Sequence, residues 1–116
     1  MRPGFLKYVK KNLNDPHYYW LVAKDDKKVV GYFYANIIKK YGTHVKKGGF
    51  ILDGFVLEKY RRLGICKAAV QQIVKWLKRH KIRLVELRVS SYNDSALKAW
   101  KRLGFSTYVE TLKTEI

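Results

Sequence analysis

An α/β sandwich built around a mixed sheet is the fold class this sequence predicts, on three observations. Two runs rich in aromatic and β-branched residues, 18–23 and 29–38, flank a polar turn at 24–28 and read as a β-hairpin. Residues 63–80 repeat apolar side chains at helical spacing. A strand pattern and a second helix pattern then follow, and strands alternating with helices pack as layers on a sheet.

From the N-terminus, Phe5, Leu6, Val9 and Leu13 fall at helical spacing, so 5–13 is expected to be a helix. Asn14-Asp15-Pro16 ends it, because proline disfavours helix in the residue before it. After the hairpin, 39–48 is a basic loop and 49–57 a strand in which Asp53 is a single carboxylate with a buried look. In the 63–80 helix, Cys66, Ala69, Val70, Ile73, Val74 and Leu77 share one face, expected to pack on the sheet. Lys67, Gln71, Lys75 and Lys78 share the opposite, solvated face. Residues 83–90 alternate as a strand, with Val85, Leu87 and Val89 on one side. A last helix is capped by Asn93 or Asp94 and stopped by Gly104, and 105–116 is expected to finish as one strand or two short ones.

One domain, 1–116, accounts for a chain of 116 residues, long enough to bury a core. A hydrophobic fraction of 47% excludes a disordered chain. No apolar run approaches about 18 residues and the start lacks a signal-peptide core, so neither membrane insertion nor secretion is expected. The lone cysteine, Cys66, forms no internal disulfide and suits a reducing cytoplasm. His17, His44 and His80 are scattered, and no Cys/His pair has metal-ligand spacing.

Twenty-five Lys and Arg against nine acids give a net charge of +16. A thermophile's ion-pair networks would need glutamate as well as lysine, and glutamate is scarce here. Electrostatic capture of a polyanion is the other explanation, with nucleic acid or a nucleic-acid-bound protein as partner.

Chemistry concentrates at Arg61-Arg62-Leu63-Gly64-Ile65-Cys66-Lys67, between the 49–57 strand and the long helix. The first N–H groups of a helix have no internal partner, and the helix dipole adds partial positive charge there. Gly64 permits the tight, left-handed backbone that an anion cradle needs. The turn therefore reads as a phosphate or pyrophosphate seat, and an ordinary strand-to-helix loop reads from the same residues.

Two further segments give that turn a context: the apolar strand from Gly49 to Leu57 before it, and Asn93-Asp94-Ser95-Ala96-Leu97-Lys98-Ala99-Trp100-Lys101-Arg102-Leu103-Gly104-Phe105 after it. Together the three resemble the GNAT superfamily of N-acetyltransferases over roughly residues 18–116. That family combines a strand ending in Val, a Tyr-Arg-x-x-Gly-x-Gly/Ala turn and a later Asn-x-x-Ala-x-x-x-Tyr-x-x-x-Gly-Phe helix. The resemblance implies a mixed, mainly antiparallel sheet flanked by helices, with a splayed central strand pair. It implies acetyl-CoA as cosubstrate, its pantetheine arm on the backbone of Phe55, Val56 and Leu57. The pyrophosphate would lie on the N–H groups of Arg62, Leu63, Gly64, Ile65, Cys66 and Lys67, with Arg61 holding the turn. Asn93, with Ala96 in the same motif, would meet the cofactor arm, and Asn93 serves equally as a helix cap. Cys66 replaces the family's Gly or Ala and reads as a packing residue. A thiol made reactive by a helix N-terminus is the alternative.

The implied reaction is direct attack of a neutral primary amine on the acetyl thioester in a ternary complex, with a backbone N–H near Val56 meeting the carbonyl. Trp100 stands where many relatives have a tyrosine general acid, and an indole N–H does not give up its proton. Leu52 replaces a glutamate common before the aspartate. Asp53 is left as base or amine-binding group, its pKa expected to be raised by an apolar setting. Tyr60, Tyr92 and Tyr108 are candidates for the missing phenol. Against the family, the chain lacks the usual first strand and helix, which would leave 18–23 as an exposed edge. A shortened member that covers this edge by dimerising, or a start that is not the natural one, follows from that.

The expected function is transfer of acetyl from acetyl-CoA to a protein N-terminus, a lysine or a small amine; a polycation is disfavoured by the charge. The alternative is a catalytically weakened module that binds coenzyme A or a partner, in association with nucleic acid.

Overall fold

A computed structural model describes residues 6–8, 16–39 and 46–116. Among the described residues, five strands form one sheet in the order β1-β2-β3-β4-β5. They are β1 (Leu6–Tyr8), β2 (Tyr18–Asp25), β3 (Lys28–Lys39), β4 (Lys47–Val56) and β5 (Val85–Leu87). β1 to β4 are antiparallel neighbours, and β5 joins β4 in parallel. Between β4 and β5 run a short 3-10 turn, Glu58–Tyr60, and helix α1 (Ile65–Arg79); helix α2 (Asp94–Arg102) follows β5.

β2 and β3 make the expected hairpin, closed by Asp26 and Lys27, with Asp26 at φ 58°. Its register shifts at Val30, which has no opposite residue on β2. The layer beneath is α1, whose buried residues are Ile65, Ala69, Val70, Ile73, Trp76 and Leu77. They meet Leu21, Ala23, Val30, Phe33, Ala35 and Ile51 from the sheet in one core. Gly49 lets the helix sit close, since a Cβ there would lie 2.5 Å from a methyl of Leu77. Of the expected apolar face, Cys66 and Val74 are only half-buried, and Trp76 takes the burial instead by stacking on Tyr19 at 5.0 Å.

Three expectations are corrected. Residues 6–8, expected in a helix, pair as a strand with Leu21, Val22 and Ala23, while 9–13 lie outside the described residues. An open edge on β2 exposes unpaired backbone groups, and pairing them outweighs the weak helical preference of so short a run. The edge expected to lie bare at 18–23 is thereby paired at 21–23. Residues 105–116 form no strand. Val109 and Leu112 are 70% and 89% exposed, so the segment's apolar side chains bury little surface that would favour pairing.

Among the described residues, no helix is long and apolar enough to cross a membrane.

Candidate functional site

The site begins where the sheet comes apart. β5 pairs with β4 only at Gly49, Phe50 and Ile51, yet β4 continues to Val56 with a strand on its β3 side alone. This is the splayed pair expected from the resemblance, and it shortens the strand expected at 83–90 to three residues. Within the unpaired stretch Leu52 is a bulge: Ile51 stands opposite Ala35 and Asp53 opposite Tyr34.

Backbone direction alternates along a strand, so the edge each residue faces can be followed from one bond. The Leu57 N–H donates to Val30 at 2.8 Å, on the β3 side. Gly54 and Val56 therefore turn their backbone groups to the open side. There the Val56 carbonyl accepts from Arg61 Nε at 2.8 Å, and the Gly54 N–H donates to Asp53 Oδ1 at 2.8 Å. Of the three residues expected to meet a pantetheine arm, Val56 has its N–H on the open edge and Leu57 spends its own on the sheet. Phe55 presents a side chain 44% exposed, with Arg61 5.7 Å above its ring.

The turn from β4 to α1 is tied at three points. Besides the bonds made by Leu57 and Arg61, the Tyr60 hydroxyl donates to Asp25 at 2.8 Å, fastening the 3-10 turn to the end of β2. Arg62 at φ 65° and Gly64 at φ 85° are both left-handed, a conformation costly for a side-chain-bearing residue. Gly64 is the N-cap of α1 and supplies no side chain to it. The first helical bond runs from the Ala68 N–H to the Gly64 carbonyl, so the N–H groups of Ile65, Cys66 and Lys67 have no intrahelical partner. No acid lies in the first turn, and Arg61, Arg62, Leu63 and Lys67 are exposed around it. A Cβ on Gly64 would meet nothing within 4 Å, so the backbone is open to close approach by an anion. Burial pushes the Cys66 thiol up to about 11, against the helix-terminus effect considered above.

Asp53 is exposed, contrary to its buried look. The bulge is the cause. Gly49 and Ile51 face α1, and strict alternation would send residue 53 the same way. After the extra residue it is Gly54 that lies under Phe33, where a Cβ would come within 2.5 Å of the ring. Asp53 accordingly points to the outer face, where Tyr32 OH donates to Oδ2 at 2.8 Å. That hydrogen bond is the main cause of a raised Tyr32 pKa. The pair was not foreseen from the sequence, because only register brings residues 32 and 53 together.

Trp100 is half-buried, its ring edge-on to Phe105 at 5.4 Å. Asn93 caps α2, with Oδ1 accepting from the Ala96 N–H at 3.1 Å and Ser95 Oγ at 3.3 Å. Of the candidate phenols, Tyr60 is engaged with Asp25, while Tyr92 and Tyr108 are 93% and 62% exposed.

Residues 2–105 match the acetyltransferase (GNAT) family. The chain belongs to that family. GNAT proteins are acetyl-CoA-dependent acyltransferases. An N-alpha-acetyltransferase of Sulfurisphaera tokodaii is 39% identical over 93 residues, which are 74% of this chain and 55% of that protein. The chain thus spans little more than half the length of this curated GNAT relative. Among solved structures, the aminoglycoside 6'-N-acetyltransferase AAC(6')-Ih of Acinetobacter baumannii superposes with a TM-score of 0.75. It is 28% identical, the match covering 90% of this chain and 74% of that one. The aminoglycoside N-acetyltransferase AAC(6')-Iy, solved in complex with CoA, shares the fold at a TM-score of 0.81 and 23% identity, covering 90% and 79%.

Proposed function

We propose that this GNAT chain binds acetyl-CoA between the open edge of β4 and the start of α1 and transfers its acetyl group to a primary amine, by direct attack in a ternary complex. The observation that carries the reading is the uncapped, glycine-led start of α1 beside a strand edge that has lost its neighbour. A pyrophosphate fits that start, because three backbone donors, a helix dipole and basic flanks converge on it. The backbone of Gly54 and Val56 faces the adjoining gap, where a pantetheine amide would find strand-like partners. When bound, acetyl-CoA supplies an activated acyl group; the chain must orient the amine and handle its proton.

Asp53 fits that second task. It is exposed near the end of the open strand, and its two oxygens are held by Tyr32 and by the Gly54 N–H. A carboxylate so fixed receives an ammonium group or accepts its proton through a water. Among acceptor classes the chain's similarity to an N-alpha-acetyltransferase favours a protein α-amine. Trp100, packed on Phe105, favours the second reading, a GNAT module that binds coenzyme A without turnover.

Calorimetric titration with acetyl-CoA, alongside ATP as an equally anionic control, tests the seat. Binding that outranks ATP supports it, and parity with ATP overturns it. Acetyl transfer to a peptide with a free N-terminus then separates enzyme from module. An N-terminally blocked peptide carrying lysine reports which amine is used.

A further inference from the structure

We propose that the end of the molecule opposite the anion cradle is a docking surface for single-stranded nucleic acid. The backbone phosphates would lie along a basic rim and the bases against an aromatic-lined cavity at the start of β2.

The excess charge looks dispersed in the sequence, but topology gathers much of it. β2 begins, β3 ends, β4 begins, α1 ends and β5 begins at one end of the sheet. Tyr18 stands opposite Asn36, Lys39 opposite Lys47 and Gly49 opposite Val85, and Tyr19 stacks on Trp76 near the end of α1. Lys39, Lys47, Lys78, Arg79, Lys81 and Arg83 thus meet there, all exposed. Apart from Glu86, the described acids on the strands and helices lie elsewhere. Asp25 and Asp26 are at the far hairpin turn, Asp53 and Glu58 lie toward the cradle, and Asp94 opens α2. In the sheet register the nearest to this end is Glu86, opposite Phe50. Cations in the last turn of a helix complement its dipole, which accounts for Lys78 and Arg79. It does not account for Lys39, Lys47, Lys81 and Arg83, which lie outside α1.

A cavity of about 510 Å³ opens beside this rim, and Tyr18, Trp20, Trp76, Arg79 and His80 are among its lining residues. Trp76 is buried against Tyr19, and Trp20 stacks on Tyr34. Tyr18 and His80, beside the Arg79 guanidinium, are therefore the rings that suit an unstacked base with its phosphate, and a duplex would offer this cavity nothing but its backbone. α1 is 15 residues, about 22 Å, long, with the cradle at its start and the cavity along its last turn, so both can be filled together.

Fluorescence anisotropy with a labelled oligouridylate of about 15 nucleotides tests the surface. Saturable binding is expected that weakens as salt rises. Reversing two rim charges, Lys78→Glu with Arg79→Glu, should lower affinity at least tenfold. The same change in net charge on α2, Lys98→Glu with Lys101→Glu, should leave it close to that of the unaltered chain. Tyr18→Ala should weaken binding without altering its salt dependence. Helical circular dichroism and retained acetyl-CoA affinity verify the fold of each variant; Arg79→Ala replaces the rim pair, and Lys98→Ala the α2 pair, if either fails to fold. Equal losses in the two charge-reversed pairs, equal affinity for a duplex of the same length, or no saturable binding at about 0.15 M salt would each overturn the proposal.

Discussion

A single inserted residue, Leu52, decides which way the candidate catalytic carboxylate points. Reading Asp53 as buried follows from alternation through Gly49 and Ile51, and alternation holds only while register does. No local sequence signal announces a bulge whose partner is Tyr34, so the residue was legible and its environment was not. With the carboxylate outside and held by Tyr32, Asp53→Asn should cut turnover by about a hundredfold while acetyl-CoA affinity is unchanged. Unaltered turnover in steady-state kinetics would remove Asp53 from the chemistry. Tyr32→Phe keeps the carboxylate and loses one hydrogen bond, so its effect on turnover should be the smaller of the two. Cys66 makes the opposite case, since its neighbours in sequence suggested a helix N-terminus and its burial overrides that. Its pKa is raised in the folded chain, so the neutral thiol is favoured and the associated stability is complete below the unfolded value. That stability fades as pH climbs through about 11. Thiol labelling at pH 8 should be slow in the native protein and fast once denatured; rapid native labelling would contradict this.

At the scale of elements, the turn from β4 into α1 was the most legible part of the chain. Its signals are local: a glycine at the N-cap, basic flanks and an amphipathic repeat behind them. Gly64→Val places a β-branched residue at φ 85°, at a cost of roughly 1–3 kcal/mol, and should weaken acetyl-CoA binding severalfold. Full affinity with the fold intact, read by calorimetry, would move the pyrophosphate elsewhere. The misread elements, 6–8 and 105–116, are those whose state depends on a distant edge. Three residues take strand form because β2 offers hydrogen bonds, while the twelve at 105–116 take none, although the outer edge of β5 has no neighbour among the described strands.

For the whole molecule, the fold class could be read because the hairpin, α1 and the motif helix each carry their own periodicity. The cluster of cations at the end away from the cradle could not, since it arises only when four strands and a helix terminate together. Crowding so many cations at one end opposes folding at low ionic strength. The thermal midpoint should therefore rise by a few degrees as sodium chloride increases from about 10 mM to about 150 mM. A flat or falling midpoint in calorimetric scans would mean that the basic end carries no appreciable self-repulsion.

The gap between β4 and β5 also bears on how the protein keeps its shape. A sheet that stops pairing at Ile51 is unfinished, and a ligand with amide groups of its own can act as the absent strand. Saturating ligand, at about a hundred times its dissociation constant, stabilises a folded chain by about 2.7 kcal/mol. Cosubstrate supply would then govern how long this basic chain survives unfolding and proteolysis, as well as how fast it works.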